Sequence, residues 1–360
     1  MTPFLARRES FATVGSTNDV VRAWLADGVS EVCLAVSDEQ SAGRGRDRRR
    51  WMAPPGAALL LSLGFRPTWL TVDQTWRLAA VASLAMADAA ECVADLPTGS
   101  IRLKWPNDLV METGTTGETG TTGEADKRHA AAEAAKRGAA EPAEPAEVAK
   151  RDAAAEPAEP AEPAKRGAAE PAEVAKRDAA AEPAEPAEPA EPAEPAEPAE
   201  PAEPAEPAGF RKVAGVLGET DGLGTADPRV VIGLGINADW AAADFPTAIA
   251  GSMTSLREAA CGRRIDRALL LDAFLERLAS GVMELRAGRF DGCGWAERQS
   301  TTGRTIRLVR PDRDEIVRAL GVDPVSGGLI VADPASGGDR LVLVGEITHV
   351  RLVEQNSVMV

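Results

Sequence analysis

The chain is 360 residues long and carries 56 acidic against 40 basic side chains, a formal net charge of −16 at pH 7. Nucleic-acid binding through bulk charge needs a basic surplus, so that class is excluded. The only histidines are His129 and His349, and Cys33, Cys92, Cys261 and Cys293 show no Cys-x-x-Cys spacing, so a Ser-His-Asp arrangement and a histidine zinc site both lack parts.

Most of the acidity is local. Residues 113–208 hold 23 acidic and 10 basic side chains and contribute −13, which leaves the remaining 264 residues near −3. This span opens on two Thr-Gly-Thr-Thr-Gly-Glu units, and residues 146–164 recur identically at 172–190. Proline at every third position from Pro183 to Pro207 forbids a helix, and alanine offers little apolar area, so a long disordered, polyproline-like insert is expected. The rest is enough for one sizeable core and a small appended domain. Neither the start of the chain nor its apolar runs, near 56–65 and 78–87, has the length of an export signal or a spanning helix. The unpaired cysteine spacing reads as reduced, buried thiols, and the expected compartment is the cytoplasm.

In chain order, Ser16 followed by Val20, Val21, Trp24 and Leu25 reads as an N-capped amphipathic helix stopped by Gly28. Val32–Val36 is a buried strand, an arginine-rich loop follows, and residues 56–65 return as a second strand. Residues 75–93 have helical period. Ile101–Trp105 alternates as a strand that puts Lys104 among the even-numbered side chains of one face. Two further strands are predicted over 213–219 and 230–235, then a long helix over about 266–286. From about 300 the pattern changes to short strands at 305–310, 316–322, 329–333 and 340–344, broken at Gly327-Gly328 and Gly337-Gly338, as in a small β-barrel.

Two motifs carry chemistry. The loop Gly43-Arg44-Gly45-Arg46-Asp47-Arg48-Arg49-Arg50-Trp51 is flexible, cationic and closed by an aromatic ring; Lys104-Trp105-Pro106-Asn107-Asp108 supplies a lysine amid polar groups. A cluster of arginines alone is a solvated patch, but interleaved glycines permit the close backbone approach that a phosphate cradle needs. Together they suggest a site for making an acyl-adenylate, with lysine neutralising charge at the reacting phosphorus. No Walker-type Gly-Lys-Ser/Thr is present.

With Ser16-Thr17-Asn18, Lys212-Val213-Ala214-Gly215-Val216-Leu217-Gly218-Glu219 and Gly233-Leu234-Gly235-Ile236-Asn237, these segments occur in the order found in the biotin protein ligases, which the chain resembles over residues 16–237. One departure is Arg48 in the second glycine slot of the loop, where a side chain limits positive-φ conformations. The resemblance implies an α/β fold: a mixed-sheet, class II synthetase-like catalytic domain (1–112 and 209–299) interrupted by the insert at 113–208, then an SH3-like barrel (300–360). The stretch before Ser16 is too short for the DNA-binding winged helix of some members, so a repressor role is not expected.

The implied activity is ATP- and Mg²⁺-dependent formation of biotinyl-5′-AMP and transfer of biotin to a lysine of a carboxyl carrier domain of a biotin-dependent carboxylase. Ser16, Thr17, Asn18 and Gln40 would fix the ureido ring. Lys104 and Arg46 would act at the reacting centre, with Lys104 and Arg44 also touching biotin. Arg44, Arg46, Arg49, Trp51, Asn107, Asp108, Asn237 and Lys212 would hold the nucleotide. Gly215 is carried over as a backbone N–H donor, although it and Gly235 could simply relieve crowding. Asp108 is a guess for the base of the transfer step, and Trp240 is either core or an adenine stacker. Two other readings compete: a lipoate or octanoate ligase of the same fold, and a non-catalytic protein that binds partners through the acidic insert.

Overall fold

The structure, a computed structural model, describes residues 4–46, 49–112, 209–310, 313–333, 336–346 and 349–353. The insert expected at 113–208 and the residue at 48 lie outside the described residues.

Seven strands form one mixed sheet: β1 (Arg7–Val14), β2 (Cys33–Gln40), β3 (Ala58–Phe65), β4 (Ile101–Lys104), β5 (Asp108–Glu112), β6 (Phe210–Asp221) and β7 (Arg229–Asn237). Their order is β1-β2-β3-β7-β6-β5-β4, with β1 and β2 parallel and all other neighbours antiparallel. Strand alternation divides the sheet into two faces. Leu59, Leu61 and Leu63 of β3 and Ile232, Leu234 and Ile236 of β7 are buried in one core with the alanine-rich helix α2 (Trp76–Ala94) and with α3 (Arg267–Arg286). Ala82, Ala85, Met86 and Ala89 of α2 and Leu270, Phe274 and Leu278 of α3 belong to that core. On the opposite face, helix α1 (Thr17–Ala26) buries Val21, Trp24 and Leu25 against Cys33, Ala35 and Val231.

Helix boundaries agree with the sequence, but the cap of α1 differs. Ser16 stands at the N-cap in extended geometry with no side-chain capping bond; its carbonyl accepts the amides of Asp19 and Val20 instead. Asp266 caps α3 through its side chain, accepting from Ala268 and Leu269. The cysteine expectation is corrected in one respect: Cys33 is buried and Cys92, Cys261 and Cys293 are exposed, all four as free thiols. Burial pushes the Cys33 thiol up to about 11. Three strands escaped the sequence reading: β1, β5 and the last strand of the C-terminal sheet.

That second sheet is antiparallel, comprising β8 (Thr305–Val309), β9 (Asp314–Val322), β10 (Leu329–Ala332), β11 (Asp339–Val342) and β12 (His349–Leu352) in the order β11-β10-β9-β8-β12. Trp105 ties it to the first. Its indole N–H donates to the Gly327 carbonyl at 2.9 Å, and its amide donates to Thr301 Oγ1 at 3.1 Å. This buried anchor fixes the β4–β5 turn that carries Lys104 and Asp108. Among the described residues no helix is long and apolar enough to cross a membrane.

Candidate active site

The parallel pairing of β1 with β2 continues past the strands, where the Ser41 and Ala42 amides donate to Val14 and Gly15. It thereby sets the start of α1 beside the end of β2. Gln40 Oε1 accepts from the Thr17 amide at 2.8 Å and from its hydroxyl at 3.1 Å. From the strand below, Ser62 Oγ lies 2.6 Å from Asn18 Oδ1 and 2.7 Å from Thr17 Oγ1. Thr17, Asn18 and Ser62 are all buried, yet Asn18 Nδ2 has no partner. An unmet buried donor costs on the order of 1–3 kcal/mol, which a ligand oxygen would recover.

Two glycines of β7 open the floor. A Cβ at Gly233 would sit 2.2 Å from Asn18 Oδ1, and one at Gly235 would sit 2.7 Å from the Trp51 indole. Gly233 therefore admits the asparagine and Gly235 the tryptophan. Gly215, paired with Gly235 across β6 and β7, faces the same ring, its Cβ position 3.2 Å from Trp51 Cζ3. Gly215, expected to donate its N–H to a ligand, lies between paired strands on both sides, opposite Asp108 of β5 and Gly235 of β7.

The register row Lys104–Asp108–Gly215–Gly235 crosses four strands. Lys212 joins it through a register shift opposite Leu109/Val110, which turns a residue three positions from Gly215 onto the same face. Its Nζ lies 3.3 Å from the Gly215 Cβ position, 2.7 Å from Asp108 Oδ1 and 5.4 Å from the centre of the Trp51 ring. Lys104 is buried, with 3% of its surface exposed.

The arginine loop is a narrow hairpin: Arg44 bridges Arg50, the Gly45 amide donates to the Arg49 carbonyl, and Trp51 donates back to Gly43. Arg46 Nη2 donates to the Val344 carbonyl of the C-terminal lobe at 3.1 Å. Arg44, expected at phosphate, has its guanidinium against Asp19 in a two-point contact, both bonds 2.8 Å, and against Glu219 at 3.3 Å. The Arg44 bond to Asp19 holds that carboxyl below the usual aspartate range and raises the arginine in turn.

Of the other expected residues, Asn107 is a turn strut: its carboxamide donates to the Val216 carbonyl at 2.9 Å while its own carbonyl accepts the Val216 amide. Asn237 is fully buried; Nδ2 donates to Thr254 and Oδ1 has no partner, and the Trp51 indole N–H is likewise buried without one. Trp240 stacks on Phe245, ring centroids 4.2 Å apart, within a small apolar cluster. Ser16 is buried at the head of α1, and Arg49 is half-buried in the loop. Sequence reasoning missed Ser62, Asp19 and Glu219; a lone serine in the run Ala58–Phe65 was the available signal. A separate cavity of about 490 Å³, lined by Arg102, Glu112, Phe210, Gln299 and Arg304 among others, contains none of the residues of this site.

The chain is similar in part of its sequence, and in its fold, to known proteins. The Biotin/lipoate A/B protein ligase family profile matches residues 11–119. A biotin–[acetyl-CoA-carboxylase] ligase of Mycobacterium tuberculosis is 35% identical over 104 residues, 29% of this chain and 39% of that protein. The bifunctional ligase/repressor BirA of Escherichia coli is 36% identical over 98 residues, 26% of this chain and 29% of its own length. These matches therefore span two-fifths or less of the curated relatives. In fold, the biotin protein ligase of Aquifex aeolicus in complex with biotin and ATP superposes with a TM-score of 0.58 at 18% identity, covering 96% of this chain and 99% of that one. On this ground, the chain resembles the biotin/lipoate protein ligase family over residues 11–119 and has the fold seen in biotin protein ligases.

Proposed function

We propose that the protein is an ATP-dependent biotin protein ligase. A biotin carboxylate oxygen attacks the α-phosphorus of ATP, forming the carboxyl–phosphate bond as the bond to pyrophosphate breaks. A lysine amine of a carboxyl carrier domain then attacks the acyl carbon, losing its proton as AMP leaves. The observation that carries this reading is the continuity of the Thr17–Asn18–Gln40–Ser62 pocket with the Trp51 platform, which Lys212 overhangs.

In this reading Ser16, Thr17, Asn18 and Gln40, joined by Ser62, hold the ureido ring, with Asn18 Nδ2 donating to its carbonyl. The ring of Trp51, with the unpartnered Oδ1 of Asn237, meets the base. Lys212 and Lys104, flanking Asp108 on one row, neutralise charge at the carboxylate and α-phosphate, and Arg46 and Arg49 meet the outer phosphate oxygens. In this reading Asp108 is the ion-pair partner that aims Lys212. Mg²⁺ would arrive on the triphosphate; among the described residues no three His, Cys, Asp or Glu side chains converge on a metal position, and no step is assigned to it. Residues 300–360 are the separate C-terminal domain of this proposal.

The test is ATP–pyrophosphate exchange with biotin, lipoate or octanoate as the acid. Exchange driven by biotin alone is expected. Exchange driven by lipoate or octanoate in its place would move the protein to the sister activity, and none with any acid would leave only partner binding.

A further inference from the structure

Arg44 is held in a closed ring of charges that the proposed chemistry does not use. Asp19 and Arg22 project from the first turns of α1, Glu219 from β6, and Arg44 from the loop. Arg44 binds both oxygens of Asp19 at 2.8 Å and Glu219 Oε1 at 3.3 Å. Arg22 binds Asp19 Oδ1 at 2.8 Å and closes the ring with a bond to Glu219 Oε2. Each guanidinium thus meets both carboxylates, and two positive charges are balanced by two negative ones. Single exposed pairs contribute little, but a network anchored by a two-point arginine contact has ideal geometry and restrains all its members together.

The ring's position gives it leverage. Asp19 follows Thr17 and Asn18 directly in the chain, so the ring sits at the edge of the polar pocket. Arg44 lies opposite Arg50 in the loop hairpin, one residue from Trp51. Fixing Arg44 to α1 and β6 therefore fixes the hairpin leg that lays Trp51 over Gly235. A loop with five arginines between 44 and 50 would otherwise repel itself, and ordering it costs backbone entropy at every residue.

We infer that Asp19 and Glu219, with Arg22, are positioning residues: they hold Arg44 as a strut that folds the loop over the pocket before any ligand binds, so the enzyme retains its acyl-adenylate. Arg44 does not grip phosphate in this arrangement; that work falls to the residues beyond it. The inference rests on the biotin ligase reading for the identity of the retained intermediate, but not for the folding of the loop.

The experiment therefore has two arms, using the full chain with Asp19→Asn/Glu219→Gln and, as the conservative variant, Asp19→Glu. In the first, ligand-free protein is digested briefly with trypsin and cleavage after Arg46, Arg49 and Arg50 is followed by mass spectrometry. The double variant is expected to be cut in the loop at least fivefold faster than wild type, with Asp19→Glu in between. In the second, the half-life of biotinyl-AMP on the enzyme is compared with kcat for biotin-dependent exchange. A tenfold or greater shortening of the half-life with kcat within threefold is the expected result. Unchanged loop cleavage would overturn the strut, and equal losses of kcat and half-life would assign Arg44 to the reacting phosphate instead. If wild type supports no biotin-dependent exchange, the ligase reading fails while the digestion arm still decides the strut.

Discussion

Lys212→Ala is expected to slow biotin-dependent exchange at saturating substrates by about 10²–10³-fold, on the order of 3–4 kcal/mol of barrier, as when one preorganised charge donor is removed. Biotin affinity should change by less than about fivefold, because the binding groups of the ureido pocket lie on α1, β2 and β3 and touch Lys212 nowhere in the hydrogen-bond network. The parallel variant Lys104→Ala separates the two lysines of the row. The Lys212 ammonium overhangs the Trp51 ring, whereas Lys104 is 3% exposed at the sheet edge, so Lys212 should carry the larger kinetic effect. Stopped-flow measurement of adenylate formation together with calorimetric biotin titration checks this. A Lys212 variant that adenylates normally once saturated, or a larger loss from Lys104→Ala, would return the reacting charge to Lys104.

The second large effect is steric. In Gly233→Ala the new methyl would stand 2.2 Å from Asn18 Oδ1, which Ser62 also holds at 2.6 Å, so the asparagine must leave its place. Overpacking of this kind costs about 1–3 kcal/mol, or roughly 2–4 °C of melting temperature per kcal/mol in a domain of this size. Biotin affinity is expected to fall about 100-fold or more, the loss of two or three oriented hydrogen bonds to a buried polar ligand. A double-mutant cycle with Asn18→Ala distinguishes the two consequences. Removing the asparagine should restore the melting temperature of Gly233→Ala without restoring biotin binding. Wild-type affinity in Gly233→Ala alone would mean that Asn18 does not form the pocket.

How far the sequence reading reached depended on whether a residue's role was written in local spacing. β7 was legible because Val230, Ile232, Leu234 and Ile236 alternate bulk toward α2 with glycines at 233 and 235 on the other face. β1 was not, since Arg7–Val14 is an edge strand with no deeply buried position and pairs only with β2. Strand parity alone would keep Lys212 off the Gly215 face, since a regular strand sets residues 212 and 215 on opposite faces; only the register shift overrides it. Arg44 was read as a phosphate ligand because its partners lie 25 and 175 positions away, beyond any local pattern. Ser62 was hidden by the apolar residues around it, whose periodicity named the strand but not the chemistry of its one hydroxyl.

Glu112 and Phe210 are directly opposite each other in the β5–β6 ladder, although they are 98 positions apart in the chain. The corner between these strands therefore works as a port: the ladder sets where the two chain ends emerge, and the cost of closing whatever joins them rises only with the logarithm of its length. The pairing of the first sheet is then indifferent to what is spliced in there, provided that it leaves and re-enters at the same two positions. A stretch that duplicates itself, as residues 146–164 and 172–190 have, can lengthen at such a corner by replication error without shifting any register in the sheet. By the same logic an experimenter can graft a reporter domain or a protease site at this corner, and the lobe will treat it as one more length of thread.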